Sequence, residues 1–156
     1  MRLKTPLTRV LTETQPFPTI RCPAQILVID RMGGPASVLM NTVSLLLGGE
    51  MSLTEVDQRF DVLRALDCFC FDLVVIGVED DRMLDLTVLP EVKRLRPEVP
   101  ALVVGKRISS FFQQYARHYG AAEVLDVPHR AAELRDLVRQ VIGRYVFVDS
   151  QNACGD

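Results

Sequence analysis

Carboxylates that follow two apolar segments are the side chains of this chain best suited to chemistry. Asp30 comes directly after the apolar run 24–29, and Glu79-Asp80-Asp81 comes after the apolar run 73–78. Carboxylate oxygens bind Mg²⁺, and an aspartate can accept a phosphoryl group. Residues 79–81 are therefore a candidate phosphoacceptor. The simpler interpretation is that they are only solvated, as acidic residues in loops usually are.

Two other features could bind or transform a ligand. Gly33-Gly34 separates a predicted strand from a predicted helix, where phosphates bind in nucleotide and flavin folds. The spaced Gly-x-Gly-x-x-Gly pattern is absent, and loop glycines more often form turns. His118 and His129 follow no recognisable nucleophile, and there is no Gly-x-Ser-x-Gly elbow. We therefore expect no catalytic residue and no enzymatic activity.

The four cysteines do not indicate a metal or redox site. Cys68 and Cys70 are two positions apart, which fits neither the zinc spacing nor a redox Cys-x-x-Cys. Cys22 and Cys154 are far from them in sequence. We expect all four to be reduced in the cytoplasm, and we expect neither a metal nor a cofactor.

Composition excludes several classes of protein. The chain has 156 residues, of which 48% are hydrophobic and 24% charged, with a net charge of −2. This balance is typical of one soluble domain and gives no charge excess for direct nucleic-acid or membrane-surface binding. No apolar run approaches the ~20 residues of a membrane span. The first residues lack the apolar core of a secretory signal.

Hydrophobic periodicity predicts five strands alternating with five helices. The predicted strands are 24–29, 52–56, 73–78, 101–104 and 124–125. Gly48-Gly49 should stop the first helix, and Ser109 or Ser110 should cap the fourth, which ends at Gly120. Pro90 falls inside the third helical pattern, so that helix either begins a residue or two earlier or is kinked.

This alternation predicts an α/β fold with a parallel sheet covered on both faces, a doubly wound three-layer sandwich. The most apolar strands should be central, and right-handed crossovers favour the strand order 2-1-3-4-5. We predict an extended, proline-rich N-terminal arm over residues 1–23, a domain over residues 24–147 and a flexible C-terminal tail over residues 148–156.

From Ala24 to about Tyr145 the chain resembles the receiver domains of bacterial response regulators, the chemotaxis-type, flavodoxin-like phosphoacceptor family. Residues 24–30 resemble the family's first strand with its acidic end, and residues 71–76 resemble the strand that delivers the phosphoacceptor. Residues 100–104 resemble the fourth strand, and residues 120–128 resemble the segment that normally ends in a lysine-proline pair. The order and spacing of these landmarks carry the resemblance.

The resemblance implies a phosphorylation pocket that has lost its metal site and its nucleophile. An active receiver has two acids after its first strand to bind Mg²⁺. Here the first acid is Asp30, but the second position holds Arg31. Arg31 either fills the vacated space or points to solvent, and Asp30 either has a function or caps the loop before the helix. The phosphoacceptor position holds Gly77.

The same comparison implies that the switch and the balancing cation are also lost. The switch hydroxyl falls on Gly105, the lysine falls on Val127, and the aromatic switch position falls on Val124, although Pro128 is kept. Losing the metal, the nucleophile and the cation together should abolish phosphoryl transfer. The sequence therefore predicts a degenerate pseudo-receiver.

A receiver without a switch can still act through its surface. We predict a protein-interaction or dimerisation module in a two-component or transcriptional pathway, whose partner is a histidine kinase, an effector, a regulator or a second copy. The predicted face comprises Tyr115, Tyr119, Arg130, Arg135 and Arg139. We expect Phe112 and at least one other aromatic residue of this helix to be buried. The alternatives are a nucleotide or metabolite sensor at the strand-end crevice, and an active receiver with a displaced acidic phosphoacceptor.

Overall fold

Strands and helices alternate along the chain in the computed structural model, which describes residues 20–57, 59–79, 83–127 and 131–148. The strands are β1 (Ile20–Cys22), β2 (Ala24–Ile29), β3 (Met51–Val56), β4 (Leu73–Glu79), β5 (Ala101–Lys106), β6 (Glu123–Asp126) and β7 (Val146–Val148). The helices are α1 (Pro35–Leu46), α2 (Arg59–Cys68), α3 (Val88–Leu95), α4 (Ser110–His118) and α5 (Ala131–Tyr145), with a 3₁₀ helix at Met83–Leu86.

Five parallel strands form the main sheet in the order β3-β2-β4-β5-β6. Numbered within this sheet, that is the predicted order 2-1-3-4-5, which is confirmed. The three most apolar strands are central because their β-branched side chains are buried on both faces. The edge strands β3 and β6 are only partly buried.

Helices cover both faces of the sheet, which confirms the three-layer architecture. Alternate residues of one strand point to opposite faces, so Leu27 joins one apolar cluster and Val28 the other. The first cluster includes residues of α2, α3 and α4. The second cluster includes residues of α1 and α5.

The helix ends follow the predicted local signals. Gly48 and Gly49, at φ 57° and 93°, follow α1 in the left-handed conformation that glycine adopts most readily. The Ser109 hydroxyl accepts a hydrogen bond of 3.1 Å from the Phe112 N–H and caps α4. Pro90 lies in the first turn of α3, two residues after its start, where a missing N–H is tolerated.

A second, two-stranded sheet joins the two ends of the described chain. β1 pairs with β7 in parallel, with Ile20 opposite Val146 and Cys22 opposite Val148. The sequence did not predict this pairing, because three-residue strands carry too little periodicity to be detected. Residues 1–19 and 149–156 of the predicted arm and tail lie outside the described residues. The division into arm, domain and tail remains a prediction.

Across the described ranges, no helix is both long enough and apolar enough to cross a membrane.

Candidate functional site

The carboxyl edge of the main sheet brings the predicted pocket residues together. In parallel strands these ends meet at one edge, where α/β proteins bind ligands. Asp30 follows β2, Gly77 lies in β4 opposite Val104, and Gly105 lies in β5 opposite Val78. The Val127 N–H donates to the Gly105 carbonyl at 2.7 Å, so Val127 belongs to the same edge.

The carboxylate of Asp30 is held by backbone N–H groups at the start of α1. Its Oδ2 accepts from the N–H groups of Ala36 at 2.9 Å and Ser37 at 3.1 Å, and its Oδ1 accepts from the Arg31 N–H at 2.8 Å. The first N–H groups of a helix lack partners within the helix, and the helix dipole favours an anion there. Asp30 therefore acts as a capping group for α1, the simpler of the two interpretations from sequence.

Partial burial affects the charge of this carboxyl group. Burial raises the pKa of Asp30 above its ordinary value, because the charged form loses hydration. The three N–H donors and the positive charge of Arg31 act in the opposite direction but do not cancel the rise.

The same carboxylate occupies the space beside Gly77. A Cβ atom built on Gly77 would overlap the carboxyl group of Asp30, and so would a Cβ atom on Gly34. A phosphoacceptor side chain at position 77 would have to project through this volume. At position 77 this volume is occupied by the Asp30 carboxylate.

Gly105, the predicted switch position, is packed against apolar side chains. A Cβ atom on Gly105 would lie 2.5 Å from Val78 Cγ2 and 2.6 Å from Ile108 Cδ1. Such distances are too short for real carbon atoms, so a serine or threonine at this position would require the neighbours to repack.

Val127, at the position predicted for the balancing cation, is part of the core. Val127 is 5% exposed and belongs to the apolar cluster that includes Val104 and Val138. A lysine there would either bury its ammonium group or displace this packing, and burying an unpaired charge is costly.

Arg31 forms an ion pair with Glu79 at the mouth of the pocket. The two side chains are 53% and 37% exposed, so Arg31 neither fills the space over Gly77 nor points freely to solvent. The Glu79 N–H also donates to Asp85 Oδ2 at 2.9 Å. Of the candidate displaced acceptors, Glu79 is therefore engaged with Arg31, while Asp80 and Asp81 lie outside the described residues.

A cleft of about 330 Å³ remains at this edge of the sheet. Besides Asp30 and Arg31 it is lined by Asp57, Asp85 and Thr87, which the sequence reasoning did not select. Asp57 follows β3 directly, so the rule that parallel strands end together could have identified it. Asp85 and Thr87 follow no strand, and their sequence carries no comparable signal.

A smaller, basic cleft of about 210 Å³ lies next to it. Arg31, Lys106 and Arg107 line this cleft together with Glu79 and the loop at Gly33. Arg107 has φ 53°, an uncommon conformation for a residue other than glycine.

The predicted interaction face is partly aromatic and exposed. Phe111 is 70% exposed and stacks on Tyr115 with ring centroids 5.8 Å apart. The Tyr119 hydroxyl donates to the Tyr115 hydroxyl at 3.1 Å. Phe112 is buried as predicted, but the expectation of a second buried aromatic residue is wrong, because Tyr115 only packs against the margin of the core.

The arginines of the predicted face are on α5. Arg135 and Arg139 are exposed and one helical turn apart, which places them on the same side of the helix. Arg130 lies outside the described residues. α4 and α5 pack on opposite faces of the sheet beside the edge strand β6, so this face would extend around the edge of the sheet.

Within the part of the chain that the structure describes, no group of three or more His, Cys, Asp or Glu side chains is placed to hold a metal ion. Cys22, Cys68 and Cys70 are free thiols, and Cys154 lies outside that part.

Comparisons with solved structures identify the fold. No family model matches the sequence, and no curated protein matches it. The phosphorylated cyanobacterial phytochrome response regulator RcpA aligns with a TM-score of 0.62 and 12% identity, over 76% of this chain and 91% of that chain. HP1043, an orphan response regulator of H. pylori, aligns with a TM-score of 0.56 and 21% identity, over 78% and 95%.

NtrX from Brucella abortus aligns with a TM-score of 0.55 and 21% identity over 77% of this chain. That alignment spans only 26% of the NtrX chain, so this protein corresponds to about a quarter of it. The chain has the fold of response-regulator receiver domains, and the predicted resemblance is confirmed at the level of the fold.

We expect Gly77→Ala to destabilise the protein by about 1–3 kcal/mol, because the new methyl group displaces the Asp30 carboxylate from its N–H donors. In an Asp30→Ala background the same change should cost much less, since the overlapping atoms are gone. Urea unfolding of the four proteins in this cycle measures the coupling. Gly143→Ala in α5, where no atom lies within 4 Å, is the control and should stabilise slightly. Equal effects at positions 77 and 143 would contradict the overlap.

Asp30 should make stability depend on pH in a defined direction. Its folded pKa is raised above the ordinary 3.8, so protonation favours the fold, and this contribution is lost as pH rises through the folded pKa. The unfolding free energy of the wild type minus that of Asp30→Asn should therefore fall as pH rises from below 3.8 to neutrality. Urea titrations at a series of pH values test this. If this difference in unfolding free energy grew with pH, the N–H donors would outweigh burial in setting the pKa of Asp30.

Proposed function

We propose that this protein is a receiver-fold signalling module that does not accept a phosphoryl group and acts by binding protein. The observation that carries the proposal is the Asp30 carboxylate, which lies over Gly77 and is held there by three N–H groups. The proposed setting is a bacterial two-component or transcriptional pathway in the cytoplasm.

The chemistry of phosphoryl transfer supports this proposal. Transfer depends on a positioned nucleophile, a metal ion and a cation that neutralises the transferred group. Position 77 offers no nucleophile, and position 127 offers a buried valine. The position that the resemblance assigns to a second metal-binding acid holds Arg31, which is paired with Glu79. RcpA, which was solved in its phosphorylated form, has the same fold, so the difference would lie in these side chains.

The proposed mode of action is self-association or capture of a protein partner through the face formed by Tyr115, Tyr119, Arg135 and Arg139. The partner would be a histidine kinase, an effector, a regulator or a second copy that forms a homodimer. Exposed aromatic rings and arginines are the residue types that most often anchor interfaces. Phe111 extends this face because its ring is exposed and stacked on Tyr115. We propose no direct contact with nucleic acid.

The clefts at the strand ends support a second candidate, a sensor of a small anionic ligand. Arg31, Lys106 and Arg107 surround the basic cleft, and guanidinium and ammonium groups bind phosphates well. We rank this candidate second, because Asp57 and Asp85 line the adjoining larger cleft and offset part of the positive charge.

Incubation with acetyl phosphate and Mg²⁺ should leave the intact mass of the protein unchanged. The reason is that neither Gly77 nor the backbone-bound Asp30 offers a free carboxylate where a receiver accepts its phosphoryl group. Mass spectrometry of the intact chain checks this, with an active receiver domain treated in parallel. A stable phosphoryl adduct that disappears in Asp80→Asn would instead establish the displaced acceptor and overturn the proposal.

Arg135→Glu combined with Arg139→Glu should weaken self-association or partner capture at least tenfold, about 1.4 kcal/mol, with little change in Tm. Both side chains are exposed, so the fold should tolerate the reversal of charge. Sedimentation velocity and affinity capture from the native cell measure the effect. Lys106→Glu with Arg107→Glu makes the same change of charge at the carboxyl edge and is the control. If both double variants behave like the wild type, this face is not the interface.

A further inference from the structure

A groove between α2 and α3 has the features of a binding site that the proposed function does not use. Its cavity measures about 410 Å³, within the ~300–1,000 Å³ of typical ligand pockets. Leu63 and Leu66 line it from α2, and Leu95 lines it from α3. Leu66 is 1% exposed and belongs to the core, so the floor of the groove is fixed by the packing of the domain.

Arg96 fixes the shape of this groove at one end. Its guanidinium group donates to the carbonyl of Leu66 near the end of α2, and to the carbonyl of Leu95 at 3.0 Å. The last carbonyl groups of a helix have no partner within the helix, so a cation there satisfies them and complements the helix dipole. Arg96 thus ties α2 to α3, and the groove is formed before any partner arrives. A preformed site reduces the entropy cost of binding.

The rim of the groove is positively charged although the whole protein has a net charge of −2. Arg64 and Arg94 are exposed on the rim, one on each helix, and Asp67 is the acid that lines it. Arg96 adds a third guanidinium group. Arginine side chains beside an apolar floor suit a ligand that carries both carboxylates and aliphatic groups.

We propose that this groove binds an acidic segment of a partner protein in which aliphatic side chains alternate with carboxylates. The aliphatic side chains would pack on Leu63 and Leu95, and the carboxylates would pair with Arg64 and Arg94. The open groove runs between two helices, which suits a stretch of polypeptide. This inference rests on the proposed function as a protein-binding module, but it assigns the partner to a surface separate from the face on α4 and α5.

The test uses the full chain and a fluorescein-labelled peptide of sequence Glu-Leu-Glu-Glu-Leu-Glu, followed by fluorescence anisotropy. We expect saturable binding that weakens as NaCl is added, since salt screens exposed charges. A peptide with serine in place of both leucines should bind at least tenfold more weakly, because each leucine buries apolar surface. Failure of the leucine peptide to bind, or equal binding of the serine peptide, would overturn the proposal.

Charge-reversal variants locate the site. Arg64→Glu with Arg94→Glu should weaken binding of the leucine peptide at least tenfold. If the reversal of charge disturbs folding, Arg64→Gln with Arg94→Gln replaces it and should weaken binding by a smaller factor. Arg135→Glu with Arg139→Glu makes the same change of charge on the other side of the sheet and should leave peptide binding nearly unchanged. An equal loss of peptide binding in both Glu variants would mean that the peptide responds only to the overall charge of the protein, which would overturn the assignment of the groove as its site.

Sedimentation of the same variants separates this inference from the proposed function. We expect the groove variants to keep the self-association of the wild type, whereas the α5 variant changes it. If the groove variants lose self-association, a second copy occupies the groove and the assignment to a partner segment is wrong. If the peptide binds as expected but the α5 variant associates normally, the groove stands and the proposed face fails.

Discussion

The contact between the Asp30 carboxylate and the first N–H groups of α1 is the constraint on which the rest of the site depends. It joins the end of β2 to the start of the next helix and lays the carboxyl group across β4. Two glycines, Gly34 and Gly77, are required by this close approach, because any side chain would overlap the carboxylate. Asp30 is thus part of the scaffold that connects β2 to α1.

The other predicted pocket positions, Gly105 and Val127, pack against apolar side chains. Val78 and Ile108 fill the space beside Gly105, and Val127 continues the apolar packing of the second cluster. At the mouth, Arg31 and Glu79 pair with each other across the ends of β2 and β4. Packing and an ion pair thus fill part of this edge of the sheet, beside the two clefts that remain there. A single substitution that introduces an acid at position 77 would meet the space that the Asp30 carboxylate occupies.

Sequence reasoning predicted the framework and placed Asp30 and Gly77 at one edge of the sheet, but it did not predict the contacts of these residues. Apolar runs such as 73–78 and 101–104 determine strands buried on both faces, and their number and spacing restrict the order of the sheet. The pairing of Arg31 with Glu79 could not be predicted, because it depends on side-chain directions across 48 residues of chain. The half-buried state of Tyr115 and the groove at Arg96 depend likewise on how helices sit on the sheet.

The parallel pairing of β1 with β7 has a mechanical consequence. The chain enters the described fold through Ile20 and leaves it through Val148, on adjacent strands that run in the same direction. Tension applied between the two ends would pull these strands past each other lengthwise, so every hydrogen bond between them would resist at once. Antiparallel strands pulled from a shared end would instead lose their hydrogen bonds one at a time. The pairing of β1 with β7 would therefore bear tension between the two ends in shear.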